Sequence, residues 1–352
     1  MKSLSVKKFG VITFMAILGI VLSALCACSA AGNNGSQIVV KDVQGTEFKF
    51  DAPLKKVVST HNPTLNAVVV LGNGTTKYLA GWGNRDKANG LYSQILDDWN
   101  TITVIGGNGN AVNKETIIDL KPDLALVPEN LADMKDKDYE GTGVKTFVAL
   151  PKKESFETVT SSLQLIAKLF GEEDRANQVT DKFNEICNDV KTAVANVPED
   201  QKAKVMFMGS KLYTAASADM IQTQIIEGAN AVNVAKDEFD SGFFATTDAE
   251  TIAKLAPEVI FFPNYAKYTV NDLLNDEKLQ SVPAIKNKKV YMFPCTLEPW
   301  DYNTCSCCLG VAWAANTLYP NLYTKDKLYK ACDEYLKLLY NHTFTPEQLG
   351  IN

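Results

Sequence analysis

The sequence predicts an α/β fold of two similar lobes, each built on a central, mainly parallel sheet, joined by one long α-helix with a cleft between them. A phrase written twice is the first sign: residues 115–128 read ETIIDLKPDLALVP and, 135 residues later, residues 250–263 read ETIAKLAPEVIFFP. The second is an uninterrupted helical period over residues 172–197. The third is length, since 352 residues exceed what one hydrophobic core usually organises.

Each copy of the phrase is a helix feeding a strand. Ile117, Ile118 and Leu120 lie at helical spacing, Pro122 stops the helix, and residues 124–127 form an apolar run suited to a parallel strand buried on both faces. Ile252, Leu255, Pro257 and residues 259–262 repeat the design. One such unit in each half predicts two Rossmann-like lobes.

Taken in order, the chain begins with Lys2, Lys7 and Lys8 ahead of an apolar stretch over residues 9–25, the pattern of an export signal. It ends in LCACSAAGNNGS, where Leu25, Cys26, Ala27 and Cys28 fit a lipoprotein cleavage box with Cys28 as the lipidated residue. An uncleaved membrane anchor is the alternative, and both place the body outside the cytoplasm. Residues 29–37, rich in Ser, Gly and Asn, read as a flexible tether.

Without residues 1–28 the chain has 352 − 28 = 324 residues, and losing three lysines takes its net charge from −6 to −9. Such an acidic chain without basic runs argues against nucleic acid and against a polybasic membrane surface as partners.

The N-terminal lobe is expected over residues 38–171. There KKVVS leads into HNPTLNAVVVLG as strand, turn and helix, and YLAGWGNRD is a strand ending in a glycine-rich turn. Residues 172–198 form the bridge. Glu172, Glu173 and Asp174 suit the first turn of a helix, and Ala176, Val179, Phe183, Ile186, Val190, Val194 and Val197 recur at steps of three and four. At 1.5 Å per residue the helix would span roughly 35 to 40 Å, a strut between lobes. The C-terminal lobe, residues 199–352, holds the strands KVMFMG and KVYMFP and the helices LGVAWAANTLYP and KDKLYKACDEYLKLLY.

Chemistry-bearing residues are few. His61 and His342 are the only histidines, which excludes a metal site built on several imidazoles, and no GxSxG, P-loop or HExxH occurs. Beyond Cys26 and Cys28 stand Cys187, Cys295, Cys305, Cys307, Cys308 and Cys332. Their spacing lacks the paired CxxC of structural zinc, so they read as small buried residues or one disulfide.

Together these pieces resemble the substrate-binding lipoproteins of ABC importers for ferric siderophores, cobalamin and haem, the class of periplasmic binding protein joined by one helix. The similarity runs through DVQGTEFKFDAPLKKVVS, VIGGNGNAVNKETIIDLKPDLAL, SADMIQTQIIEGANAVNVAKD and SVPAIKNKKVYMFP, nearly the whole chain after the tether. The resemblance implies a non-enzymatic carrier with no intrinsic cofactor. It would capture a metal chelate, a ferric siderophore first, with cobalamin or haem next, and deliver it to a permease dimer driven by a cytoplasmic ATPase. It also implies that Glu115 and Glu250, which open the two phrases, dock on arginines of the permease. From spacing alone each is a solvated first-turn glutamate. Other readings are an exported two-lobed metal or redox enzyme and a surface sensor or adhesin.

A cleft in this architecture would be lined by the turns after the strands. In the first lobe these carry His61, Asn62, Trp82, Asn84, Arg85, Asn108, Asn110, Glu129 and Asn130. In the second they carry Ser217, Asp219, Phe243, Phe244, Asn264, Tyr265, Glu298, Pro299, Trp300, Asp301 and Tyr302. Trp300 is expected against the ligand by the resemblance, Arg85 could meet an anionic chelate through its planar fork, and His61 could ligate metal or simply hydrogen-bond at a helix start. For haem, His61, Tyr265 and Tyr302 are the axial candidates. The cysteines at 305, 307 and 308 depart from the family pattern.

Overall fold

A computed structural model describes residues 37–83, 85, 88, 90–107, 111–239 and 243–351. The leader with Cys28, and the site candidates Asn84, Asn108 and Asn110, lie outside the described residues.

The chain opens with a hairpin of β1 (Ile38–Lys41) and β2 (Glu47–Phe50), then runs β3 (Val57–Ser59), α1 (Asn62–Leu71), β4 (Leu79–Trp82) and α2 (Tyr92–Ile95). Next come β5 (Thr103–Val104), the short hairpin of β6 (Gly106–Gly107) and β7 (Ala111–Val112), α3 (Lys114–Leu120), β8 (Leu124–Pro128), α4 (Ala132–Tyr139), β9 (Thr146–Leu150) and α5 (Phe156–Phe170). A 22-residue helix, α6 (Glu173–Val194), follows. Beyond it are β10 (Lys204–Phe207), β11 (Thr214–Ala215), α7 (Ile221–Gly228), β12 (Val232–Asn233), β13 (Ala245–Thr246), α8 (Ala249–Leu255) and β14 (Val259–Phe262). The chain closes with α9 (Val270–Leu274), α10 (Pro283–Lys286), β15 (Val290–Met292), α11 (Cys307–Leu318), α12 (Lys325–Tyr340) and α13 (Pro346–Leu349).

Two parallel sheets result. The first has five strands in the order β5-β4-β3-β8-β9, the second four in the order β12-β10-β14-β15, and every pairing within them is parallel. Strands β3, β8 and β14 are buried along their whole length, as VVS, LALVP and VIFF require when helices cover both faces. The two-lobed α/β expectation therefore holds.

The duplicated phrase folds the same way twice, down to its caps. In α3 the Asn113 side chain accepts from Thr116 N–H, and in α8 Asp248 accepts from Thr251 N–H. Both helices run seven residues and end on a non-glycine residue in the left-handed region, Lys121 at φ 47° and Ala256 at φ 47°. In each copy the proline that follows stops the helix and the chain turns into a buried strand.

The bridge α6 is about 33 Å long at 1.5 Å per residue. It starts after Gly171, whose φ of 69° closes α5 with a left-handed cap, and it ends four residues short of Pro198, so Val197 falls outside it. Ala176, Val179, Phe183, Ile186, Val190 and Val194 form its buried stripe, against α5, α7, α11 and α12. Each of the larger side chains, from Val179 to Val194, contributes about 1.5 to 3 kcal/mol by leaving water.

One continuous apolar core links the lobes through this helix layer, joining Val57, Leu126 and Phe147 of the first sheet to Val205, Phe207 and Phe261 of the second. The outer faces of the sheets have separate cores, around Ile117 and Val127 in one lobe and Ile252 and Ile260 in the other. A shared core between lobes favours a stiff frame over a wide hinge. Residues 36–352 accordingly form one compact unit.

No disulfide joins any two of the six described cysteines, so the disulfide considered from sequence is not formed among them. They are small packing residues: Cys305, Cys307, Cys308 and Cys332 are buried, and Cys187 and Cys295 are half-buried. No described helix is long and apolar enough to cross a membrane.

Candidate functional site

A cavity of about 520 Å³ opens where both sheets present the carboxyl ends of their strands, the place at which open parallel sheets bind ligands. From the N-terminal lobe it is lined by the turn between β3 and α1, with Thr60, His61, Asn62 and Pro63, and by Pro128, Asn130 and Leu131 after β8. The turn after β9 adds Lys152 and Glu154. The C-terminal lobe adds Met220 and Gln222 at the start of α7, Phe243 and Phe244 before β13, Tyr265 after β14, and Asp301, Tyr302 and Asn303 ahead of α11.

His61, Asn62, Asn130, Phe243, Tyr265 and Tyr302 are thus brought together as expected wall residues, along with Phe244 and Asp301. His61 occupies the N-cap position of α1, where its Nδ1 lies 2.9 Å from Thr64 Oγ1. Asn62 is steadied from behind by Trp82, whose Nε1 donates to Asn62 Oδ1 at 3.2 Å. Tyr265 and Tyr302 pack at 5.0 Å between ring centroids, and the Tyr265 hydroxyl donates to Asp301 Oδ2 at 2.9 Å. Phe243 is 53% exposed, an apolar ring presented to the opening. Among the described residues no three His, Cys, Asp or Glu side chains are grouped to hold a metal ion.

Other expected residues, Pro299 among them, do not line the cavity. Trp300 is fully buried in the shared core with Nε1 donating to Thr296 Oγ1 at 3.2 Å, because its turn folds inward under α11. Trp82 is likewise buried, edge-on to both Tyr92 and Trp99. Arg85 donates through Nη1 to the carbonyls of Trp99 at 3.1 Å and Ile102 at 2.7 Å, so its fork pins a loop. Ser217 is buried, and its carbonyl accepts from Thr223 Oγ1 at 2.6 Å. Glu298 is buried too, accepting from Tyr92 Oη at 2.9 Å. Asn66 Nδ2 donates to Tyr92 Oη and Tyr340 Oη, 2.9 Å each, and completes that network. Outside the cavity, Glu129 Oε2 accepts from Lys152 N–H at 2.7 Å, while Asp219 and Asn264 are exposed.

Sequence reasoning missed Lys152, Glu154, Gln222 and Asn303. The signal for the first two was available: KTFVALP is an apolar run closed by proline, the same strand ending that marks the other wall turns. Gln222 and Asn303 needed the fold, since one lies on a helix and the other beside a turn.

The electrostatics of the wall follow from burial. Asp301 is pushed up to about 6 by burial, against the lowering effect of hydrogen bonds from Tyr265 and Gln222. Burial also raises Glu154, although it accepts from Ile221 N–H. Tyr265 is raised by burial and then by the Asp301 charge, which keeps its hydroxyl a donor. Glu298, in its own network, is pushed up by burial to about 7.

Set beside known proteins, residues 68–295 match the family described as periplasmic binding protein. The molybdate-binding protein MolA of Haemophilus influenzae is 23% identical over 92% of this chain and 98% of its own. Its structure with bound molybdate superposes with a TM-score of 0.75 at 19% identity, covering 88% of this chain and 99% of that one. The uncharacterized ABC transporter substrate-binding lipoprotein YvrC of Bacillus subtilis is 26% identical over 86% of this chain and 96% of its own. Helicobacter pylori CeuE in a nickel–histidine complex superposes with a TM-score of 0.72 at 19% identity, covering 89% of this chain and 98% of that one.

Proposed function

Because the chain belongs to the periplasmic binding protein family, we propose that it is the extracytoplasmic receptor of an ABC importer and that its cargo is a metal chelate, a ferric siderophore foremost. The observation that carries this reading is the cavity between the lobes, about 520 Å³ in volume, with aromatic rings on one wall and amides, an imidazole and an ammonium group on the other. Pockets of about 300 to 1,000 Å³ suit ligands of drug size, which a compact chelate is. Cobalamin and haem are the next candidates. As a carrier it would release the cargo as it arrived.

The test is a titration of the purified protein with ferric hydroxamate and ferric catecholate siderophores, cobalamin, haem, molybdate and nickel–histidine, read by intrinsic fluorescence and calorimetry. Saturable binding of one ferric chelate per chain, with its absorption spectrum chemically unaltered, is expected. Chemical conversion of any of them would refute the carrier reading, and silence toward every chelate would refute the choice of cargo.

Delivery would use Glu115 and Glu250. Both are exposed in the first turns of the two equivalent helices α3 and α8, one on each lobe, as a two-point contact to a dimeric permease needs. Reversing both charges, Glu115→Lys with Glu250→Lys, should abolish uptake and leave cargo affinity as it was. Unchanged uptake removes the docking role. Anchoring through lipidated Cys28, in line with the lipoprotein name of the B. subtilis relative, predicts that Cys28→Ala releases the protein from membranes.

A further inference from the structure

The C-terminal wall of the cavity is unusually rich in acceptors. Asp301, Gln222 and Asn303 all line it, at 0%, 3% and 9% exposure, and among the described residues no side chain or backbone group within hydrogen-bond geometry donates to Asp301 Oδ1, Gln222 Oε1 or Asn303 Oδ1. The remaining polar atoms of the first two are committed. Gln222 Nε2 donates to the Asp301 carbonyl at 3.0 Å and to Oδ2 at 3.4 Å, and Tyr265 donates to the same Oδ2. This leaves Asp301 Oδ1, Gln222 Oε1 and Asn303 Oδ1 as buried acceptors within the wall. Glu154, from the N-terminal-lobe turn after β9, reaches across to accept from Ile221 N–H at 3.4 Å and brings a second carboxylate to this part of the lining. A buried acceptor without a donor is destabilising until something donates to it.

The rings around this pole narrow the donor. Tyr265 and Tyr302 flank Asp301, and Phe243 and Phe244 extend the aromatic wall. Aromatic faces beside carboxylates attract cations, through the ring quadrupole as well as direct charge. Among the described residues the other charged or titratable groups on the lining are His61 and Lys152, both from N-terminal-lobe turns.

We infer that Asp301, Glu154, Gln222 and Asn303, framed by Tyr265 and Tyr302, form a subsite for a hydrogen-bond-donating cationic group of the cargo, so that the protein selects chelates bearing an ammonium arm over anionic chelates and oxyanions. This rests on the chelate-carrier reading and sharpens it. A tetrahedral oxyanion such as the one bound by MolA would face like charge and lone pairs at this wall.

The decisive comparison uses a linear ferric trihydroxamate with a free terminal ammonium and the same complex N-acetylated at that nitrogen. A ferric tris-catecholate, molybdate and nickel chloride complete the set. Calorimetric titration of the wild-type protein should favour the ammonium form over the acetylated form by roughly tenfold, the worth of one charge-assisted hydrogen bond. In Asp301→Asn, and independently in Glu154→Gln should the first variant fold poorly, that ratio should fall toward one. Equal or tighter binding of the acetylated form, or tightest binding of the catecholate anion, molybdate or the bare metal ion, overturns the cationic subsite while leaving a carrier. A ratio that survives both substitutions overturns the assignment to these residues. Failure of both trihydroxamates and the catecholate to bind overturns the chelate reading together with this inference.

Discussion

Replacing Glu298 by Gln should remove a specific part of the pH dependence of stability. Glu298 is 3% exposed and ties two distant parts of the chain together: its Oε1 accepts from Tyr92, and Asn66 connects Tyr92 to Tyr340 on α12. Burial moves its carboxyl from 4.5 to about 7, which at 1.36 kcal/mol per tenfold corresponds to about 3 kcal/mol. The sign follows from proton counting. Below pH 4.5 the carboxyl is protonated folded or unfolded, and the contribution is complete. As pH rises the unfolded chain ionises first, and stability falls until the folded protein also ionises near pH 7. Gln keeps an acceptor for the Tyr92 hydroxyl and cannot ionise. Urea unfolding of both proteins at steps from pH 4.5 to 8 should therefore show the wild type losing about 3 kcal/mol more than the variant, with most of the divergence below pH 7. Asp301 titrates in the same window, but it is present in both proteins and cancels in the comparison. Parallel stability curves would refute the buried, proton-holding role of Glu298.

Three further outcomes are expected. A Cβ at Gly310 would sit 2.4 Å from the Trp300 carbonyl oxygen, so Gly310→Ala should cost about 1 to 3 kcal/mol in urea unfolding; an unchanged midpoint would deny the close approach of α11 to that turn. Burial pushes the thiols of Cys187 and Cys305 up to about 12 and raises those of Cys307 and Cys308 well above the usual thiol range, so a thiol reagent at pH 7 should label them in the unfolded protein and barely in the folded one. Rapid labelling of the native fold would contradict their packing. Phe243→Ala should weaken chelate binding while shifting stability by about 0.5 kcal/mol or less, because the ring is already half exposed; a large stability loss would place Phe243 in the core.

Much of the architecture was legible because it is periodic. The duplicated phrase, the apolar strands and the six-residue stripe of α6 each record burial of a face, and a face repeats at 3.6 or at two residues whatever the rest of the chain does. The positions of the wall turns were legible for the same reason, since they follow the strands. Individual wall residues were less so. Trp82 at the end of β4 and Trp300 in its turn both face inward, and Arg85 spends its fork on two carbonyls of its own lobe.

By itself the sequence determined two parallel-sheet lobes, the strut between them, the equivalence of Glu115 and Glu250, and the turns from which a cleft is made. Only the tertiary structure decided which side chains of those turns reach the cavity and which close the core. It also built the carboxylate pole around Asp301 and the buried network that joins Tyr92 to Glu298, 206 residues apart, and Asn66 to Tyr340, 274 apart. The physical reason is that periodicity is a local record of burial, whereas hydrogen-bond partners and the direction of a turn's side chains are set by long-range packing that no spacing along the chain encodes.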